Sequence, residues 1–156
     1  NMFGGGGISN KTSRLYRALV DKELAVSVHG GSTATIDPFL YAFTITAHPE
    51  KTPEVALSAL DAEIERIQNE PPSAADVARA IKQARAMFAY GTENITNQAF
   101  WLGYAEMFAD YGWFTSYLEK LAAVTPADVQ RAAQTYLRTK SRVVGIYLPV
   151  NDGGEE

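Results

Sequence analysis

Catalysis needs side chains that can hold a metal, attack a carbonyl or move a proton, and this chain has few of them. His29 and His48 are its only histidines. A catalytic zinc is usually held by three protein ligands. His29 and His48 could meet across a hairpin with Glu23 or Glu50 nearby, but their spacing does not require it, and solvated or locally bonded histidines fit it better. Neither H-E-x-x-H nor H-x-x-E-H occurs, so both zinc peptidase signatures are absent. The chain has no cysteine, which excludes thiolate catalysis, disulfides and cysteine-bound zinc. No G-x-S-x-G elbow is present to expose a serine nucleophile. Glu63 and Glu65 stand at i,i+2 and cannot face one another on a helix. The sequence therefore offers no catalytic, cofactor-binding or metal-ligating residue.

One glycine run invites a different chemistry. Gly4 to Gly7 lead into Asn10-Lys11-Thr12, one residue short of the G-x-x-x-x-G-K-[ST] loop that cradles phosphates with backbone N–H groups. Asn tolerates the left-handed conformation that the second glycine would supply. However, no acidic residue ends a hydrophobic strand to hold magnesium, and the alternating strand–helix order of a nucleotide-binding sheet is missing. A nucleotide-binding module is the minor alternative, and a loop entering a helix is the plainer reading.

The elements follow from periodicity and punctuation. Ser9-Asn10 caps a helix over 11–23, with Leu15 and Leu19 facing inward. Residues 24–29 alternate as a strand, Val26 and Val28 on one face, and Gly30-Gly31 ends it. Pro38 opens a longer strand in which Phe39, Tyr41, Phe43 and Ile45 share a face. Thr52-Pro53 then starts a helix with the stripe Leu57, Leu60, Ile64 and Ile67, stopped by Pro71-Pro72. Ser73 with Asp76 reads as a capping box before the stripe Val77, Ile81, Ala84 and Phe88. Helices are expected over 94–110, over 113–121, and from Thr125-Pro126 to about Arg138. Residues 142–148 read as a closing strand ended by Pro149.

Strands and helices are thus segregated. This order predicts an α+β two-layer sandwich, a largely antiparallel sheet with helices packed on one face. Residues 1–150 form a single domain and 151–156 a flexible tail. Three strands are few for so many helices, so at least one more strand is expected upstream in a parent protein. Phe100, Trp101, Tyr104, Phe108, Tyr111, Trp113, Phe114 and Tyr117 crowd one stretch, wider than a single helical stripe. Most are expected in the core, and some at a chamber wall or partner interface.

Bulk composition bounds the function. The 156 residues, 46% apolar and 21% charged, suit one globular domain. A net charge of −4 lacks the basic field that nucleic-acid binding needs. No apolar run approaches the ~20 residues that span a bilayer. Nothing here chooses a compartment; a bacterial periplasm and a cytoplasm are both compatible.

The run Phe3-Gly4-Gly5-Gly6, then Ser13-Arg14-Leu15-Tyr16, then 21–28 (Asp-Lys-Glu-Leu-Ala-Val-Ser-Val) resembles the pitrilysin, or insulinase, family of zinc metallopeptidases. Residues 54–67, 72–87, 124–129 with Tyr136-Leu137, and 144–149 resemble its later helices and closing strand. The resemblance covers nearly the whole chain and implies the following. Two similar domains close like a clam-shell around a chamber, and the N-terminal half carries the inverted zinc motif. The C-terminal half often adds an Arg and a Tyr, seven residues apart, that hold the substrate and polarise its scissile carbonyl. Those positions align with Leu19 and Val26, neither of which can donate a hydrogen bond from its side chain; Arg17 lies near the first, and Tyr41 is a possible stand-in from the neighbouring strand. The resemblance thus implies the non-catalytic C-terminal domain, lacking its first strand, of a zinc-dependent peptidase. Zinc would sit in the catalytic half of the parent or partner. Its partners would be a homologous zinc-bearing domain or subunit and an extended peptide substrate. An inactive scaffold or assembly subunit of the same family is the alternative.

Overall fold

The computed structural model describes residues 11, 13–32, 35–37 and 39–149. The glycine run at 4–7, the cap at 9–10 and the tail at 151–156 lie outside them. The described elements are a π-helical turn Tyr16–Val20, strands β1 (Ala25–Ser32) and β2 (Tyr41–Ala47), helices α1 (Pro53–Asn69), α2 (Ala74–Gly91), α3 (Ile95–Phe108), α4 (Tyr111–Ala122) and α5 (Pro126–Tyr136), and a 3-10 turn Thr139–Ser141. β1 and β2 pair antiparallel, so the class is α+β, mostly helical, as the pattern predicts.

The core sits where the first turn, the hairpin and α1 meet. Leu19 is completely buried against Ala25 and Ala56, with Leu15, Leu24, Val28, Ile45 and Ala59 packed around them. An isolated two-stranded hairpin is marginal in water. Here the π-helical turn and α1 supply the second layer it needs. The inward face of β2 is the odd one, as the alternation predicts: Phe43, Ile45 and Ala47 are half-buried, whereas Tyr41 and Phe39 are exposed.

Three expectations about the strands need correction. Val26 and Val28 do not share a face, because the register slips between Ala25 and Ser27. Such a bulge inserts one residue and re-aims its side chain, and it turns Val26 outward while Ala25 and Val28 face the core. Gly30-Gly31 does not end β1, which continues to Ser32. A Cβ on Gly30 would come within 3.0 Å of the Phe43 ring, so the glycine makes room for a cross-strand aromatic instead of a turn. Residues 142–148 form no strand: the segment finds no ladder partner among the described residues, and Val143 stands 99% exposed. An extended segment without a partner leaves its N–H and C=O groups to water. Its base is held by a bidentate pair between the Arg142 guanidinium and Asp61 of α1.

The helices start where short polar side chains meet N–H groups that lack helical partners. Ser73, Asn94, Asp110 and Thr125 each accept from the third residue onward, at 3.1, 2.9, 2.7 and 3.2 Å. Only Thr125 completes a full capping box, with Asp128 reaching back to the Thr125 N–H. Ser73 donates to the Asp76 carboxylate instead. The C-terminal ends of α1 and α5 are joined by glutamines. Gln68 Nε2 donates to the Leu137 and Ala133 carbonyls, and Gln130 and Gln134 donate to the Gln68 carbonyl. These bonds satisfy carbonyls that a helix end leaves open.

Two tests follow from these geometries. Glu23 sits at φ 56°, the one positive φ at a non-glycine residue among the described residues. The left-handed strain relieved, about 1–2 kcal/mol, exceeds the added unfolded-state entropy, about 0.4–1 kcal/mol, so Glu23→Gly should raise stability by about 0.5–1 kcal/mol in denaturant unfolding. The second concerns pH. The Thr125 hydroxyl and N–H, then Arg131, hold the Asp128 carboxyl below the usual 3.8, and the Ser73 hydroxyl does the same for Asp76. A depressed folded value means stability present above the ordinary aspartate range and lost as pH falls through the folded one. Thr125→Ala should cost about 1 kcal/mol near neutrality and flatten the acid limb of a stability–pH profile.

Candidate functional site

The site to build is the junction of the π-helical turn with β1, where the pitrilysin-like reading places its two auxiliary positions. The turn closes with Asp21 N–H donating to the Tyr16 carbonyl at 3.1 Å, and Leu24 N–H donates to Leu19 at 2.9 Å. Each of these bonds spans five residues; the first closes the wide turn of the π-helix and the second closes the turn after it, through Glu23. The π-helical turn rolls Ala18 and Leu19 into the core and leaves Arg17 exposed. Leu19 is 0% exposed, so a charged group there would lose its water without gaining a partner. Val26, lifted by the bulge, is 57% exposed. The two aligned positions therefore face different media, one the core and one solvent.

Tyr41 does not approach this junction. It pairs with Ser32, at the far end of β1 from Val26, roughly 20 Å away at the ordinary strand rise. Its ring lies on Phe43 with centroids 5.1 Å apart and covers the Gly30 backbone. The desolvated part of the ring pushes the phenol above its ordinary value. The hydroxyl is thus neutral at physiological pH.

The histidines are also kept apart. His29 pairs with Thr44, whereas His48 donates its N–H to the Leu24 carbonyl. Five residues of β1 separate those levels, roughly 17 Å. His48 Nδ1 accepts from Glu50 N–H at 3.3 Å, a local turn contact. Among the described residues no three His, Cys, Asp or Glu side chains gather as a metal site. The hairpin is antiparallel, unlike the parallel sheet that a phosphate loop serves. Also among the described residues, no helix is long and apolar enough to cross a membrane.

The aromatic stretch does not form the core that composition suggests. Trp101 is buried, its Nε1 donating to the Gly91 carbonyl at 3.0 Å. Tyr104, Phe108, Trp113, Phe114 and Tyr117 are half-buried, and Phe100 and Tyr111 are exposed. Two ring clusters result. Phe100, Trp101, Tyr104 and Phe108 line α3, and Phe88 of α2 stacks on Phe114 and Tyr117 of α4. An open depression of about 420 Å³ lies between the C-terminal ends of α1 and α5, lined by polar side chains that include Gln68, Gln134, Lys140 and Ser141.

With that geometry, the comparisons are specific. The family model described as the peptidase M16 inactive domain matches residues 1–84. The chain belongs to that family, which is the one its sequence resembles. A crystal structure from Bordetella pertussis Tohama I, provisionally named a zinc protease, is 29% identical with a TM-score of 0.79, covering 90% of this chain and 77% of that one. The inactive peptidase domain of a provisionally named zinc protease from Bordetella parapertussis is 28% identical with a TM-score of 0.80, covering 90% and 75%. A protease from Helicobacter pylori shares the fold at 21% identity and a TM-score of 0.77, covering 83% of this chain and 32% of that chain. The comparison with curated proteins gave no match.

The opposed environments of Leu19 and Val26 give a direct test. Leu19→Arg should leave little folded protein in a thermal melt, because an unpaired buried charge costs several kcal/mol. Val26→Tyr should melt within about 0.5 kcal/mol of the parent, as surface substitutions usually do.

Proposed function

We propose that this inactive domain encloses a peptide-substrate chamber whose zinc is carried by a homologous half, in the same parent protein or in a partner subunit. The observation that carries the reading is the Leu19–Val26 junction. Where such domains offer an Arg and a Tyr, this chain has a core residue and an exposed aliphatic one, so its contribution is shape and not proton or charge chemistry. Its own zinc requirement is nil on this reading, and the metal belongs to the catalytic half.

The hairpin supports a role in receiving an extended peptide. Both outer edges of the β1–β2 pair are unpaired among the described residues. Its outward face carries Ala42, Thr44 and Thr46, with the Ser27 hydroxyl bonded to the Thr46 hydroxyl at 3.1 Å. An unpaired edge can add a peptide strand through main-chain hydrogen bonds. The inactive-scaffold reading uses the same fold but predicts no peptide binding.

Hydrogen exchange separates the two. Adding a ten-residue unstructured, uncharged peptide should slow exchange at those amides of Ala25–Ser32 or Tyr41–Ala47 that are not bonded within the hairpin. Unchanged exchange at saturating peptide would reject the chamber-wall reading in favour of a scaffold.

A further inference from the structure

A helix C-terminus gathers partial negative charge on carbonyls that lack helical partners, and Lys or Arg side chains ordinarily cover them. At the joined ends of α1 and α5 glutamines fill that role. Gln68 donates to the Ala133 and Leu137 carbonyls, and Gln130 and Gln134 donate to the Gln68 carbonyl. The neighbouring cations, Arg138 and Lys140, are therefore not needed there. Among the described residues neither pairs with a carboxylate, whereas Arg14, Arg66, Arg79, Arg131 and Arg142 all do. Both line the open depression of about 420 Å³ between the two helix ends, together with Thr139 and Ser141. Neither of those hydroxyls is hydrogen-bonded among the described residues. Every residue that lines the depression is polar and none is acidic, in a chain whose net charge is −4.

We propose that this depression is an oxyanion site, taking a carboxylate or a phosphate group. Arg138 offers a planar fork that matches either group through two parallel N–H···O bonds. Lys140 adds a compact second charge, and the Thr139 and Ser141 hydroxyls can donate to oxygens that the cations leave open. The two cations together balance a phosphate dianion or a pair of carboxylates. An apolar ligand would strip water from these groups and give them no partner. The depression is open, so a bound anion keeps part of its hydration and the affinity is modest. Two sources present such a group: a ligand from solution, and the chain's own Asp152, Glu155 and Glu156.

Titration of the whole chain with inorganic phosphate at constant ionic strength, read by amide NMR shifts, tests this. Shifts at Thr139, Lys140 and Ser141 should saturate with a dissociation constant of about 1 mM or lower. Arg138→Gln combined with Lys140→Gln should weaken binding about tenfold or more, because the charge-assisted bonds are lost. The charge-matched pair Lys22→Gln with Lys51→Gln, on exposed residues elsewhere, should bind as the parent does. Asp152→Asn with Glu155→Gln and Glu156→Gln assigns the source. Tighter phosphate binding in that variant means that the chain's own carboxylates fill the site, and unchanged binding means that the ligand comes from outside; both uphold the site. Shifts that fail to saturate in the parent and in that variant alike, or that persist undiminished without Arg138 and Lys140, overturn the proposal.

Discussion

The fold depends on one buried side chain. Leu19 touches the elements that would otherwise separate: the π-helical turn that carries it, β1 through Ala25, and α1 through Ala56. Among the described residues the sheet has two strands, too few to stand alone, and the α1 stripe needs an apolar surface to cover. Leu19 meets both needs. A charged donor at this position would have to leave the core or be buried without a partner.

That constraint also organises what surrounds it. Because the π-helical turn spends its extra residue turning Leu19 inward, the chain enters β1 through a left-handed Glu23 and a bulge at Val26. The bulge aims Val26 at solvent and leaves the rest of β1 in register with β2 out to Ser32. From α1 the structure extends by polar joints. Glutamines tie α1 to α5, and Arg142 ties the closing segment to Asp61. Phe88 of α2 meets Phe114 and Tyr117 of α4, and Trp101 ties α3 to the end of α2 through the Gly91 carbonyl, with few buried residues among the three helices.

Much of this was legible in the residues. Thr52-Pro53, Ser73, Asn94 and Thr125-Pro126 mark helix starts because each puts an oxygen, or a proline ring, where free N–H groups need it, and all four helices begin there. Asp110 does the same for α4, which therefore starts at Tyr111, two residues before the start that the sequence pattern predicts. The strand features were harder to read. A bulge is a property of two strands in register, so alternation within 24–29 alone could not reveal it. Gly30 reads as a turn until Phe43 is known to lie across from it. The strand pattern at 142–148 describes what those residues can do, but a strand exists only with a partner. The absence of both zinc motifs is a fact of the sequence, whereas the burial of Leu19 and, among the described residues, the open space beside Gly103 needed coordinates.

The central claim is that this domain shapes a peptidase and does not perform its chemistry. The most direct measurement is zinc content together with turnover of a mixed unstructured peptide pool by the purified chain, in zinc-supplemented buffer. The account predicts no stoichiometric zinc and no cleavage above a metal-free blank, unchanged by replacing His29 or His48 with Ala. One bound zinc per chain with cleavage that disappears in either variant would contradict it.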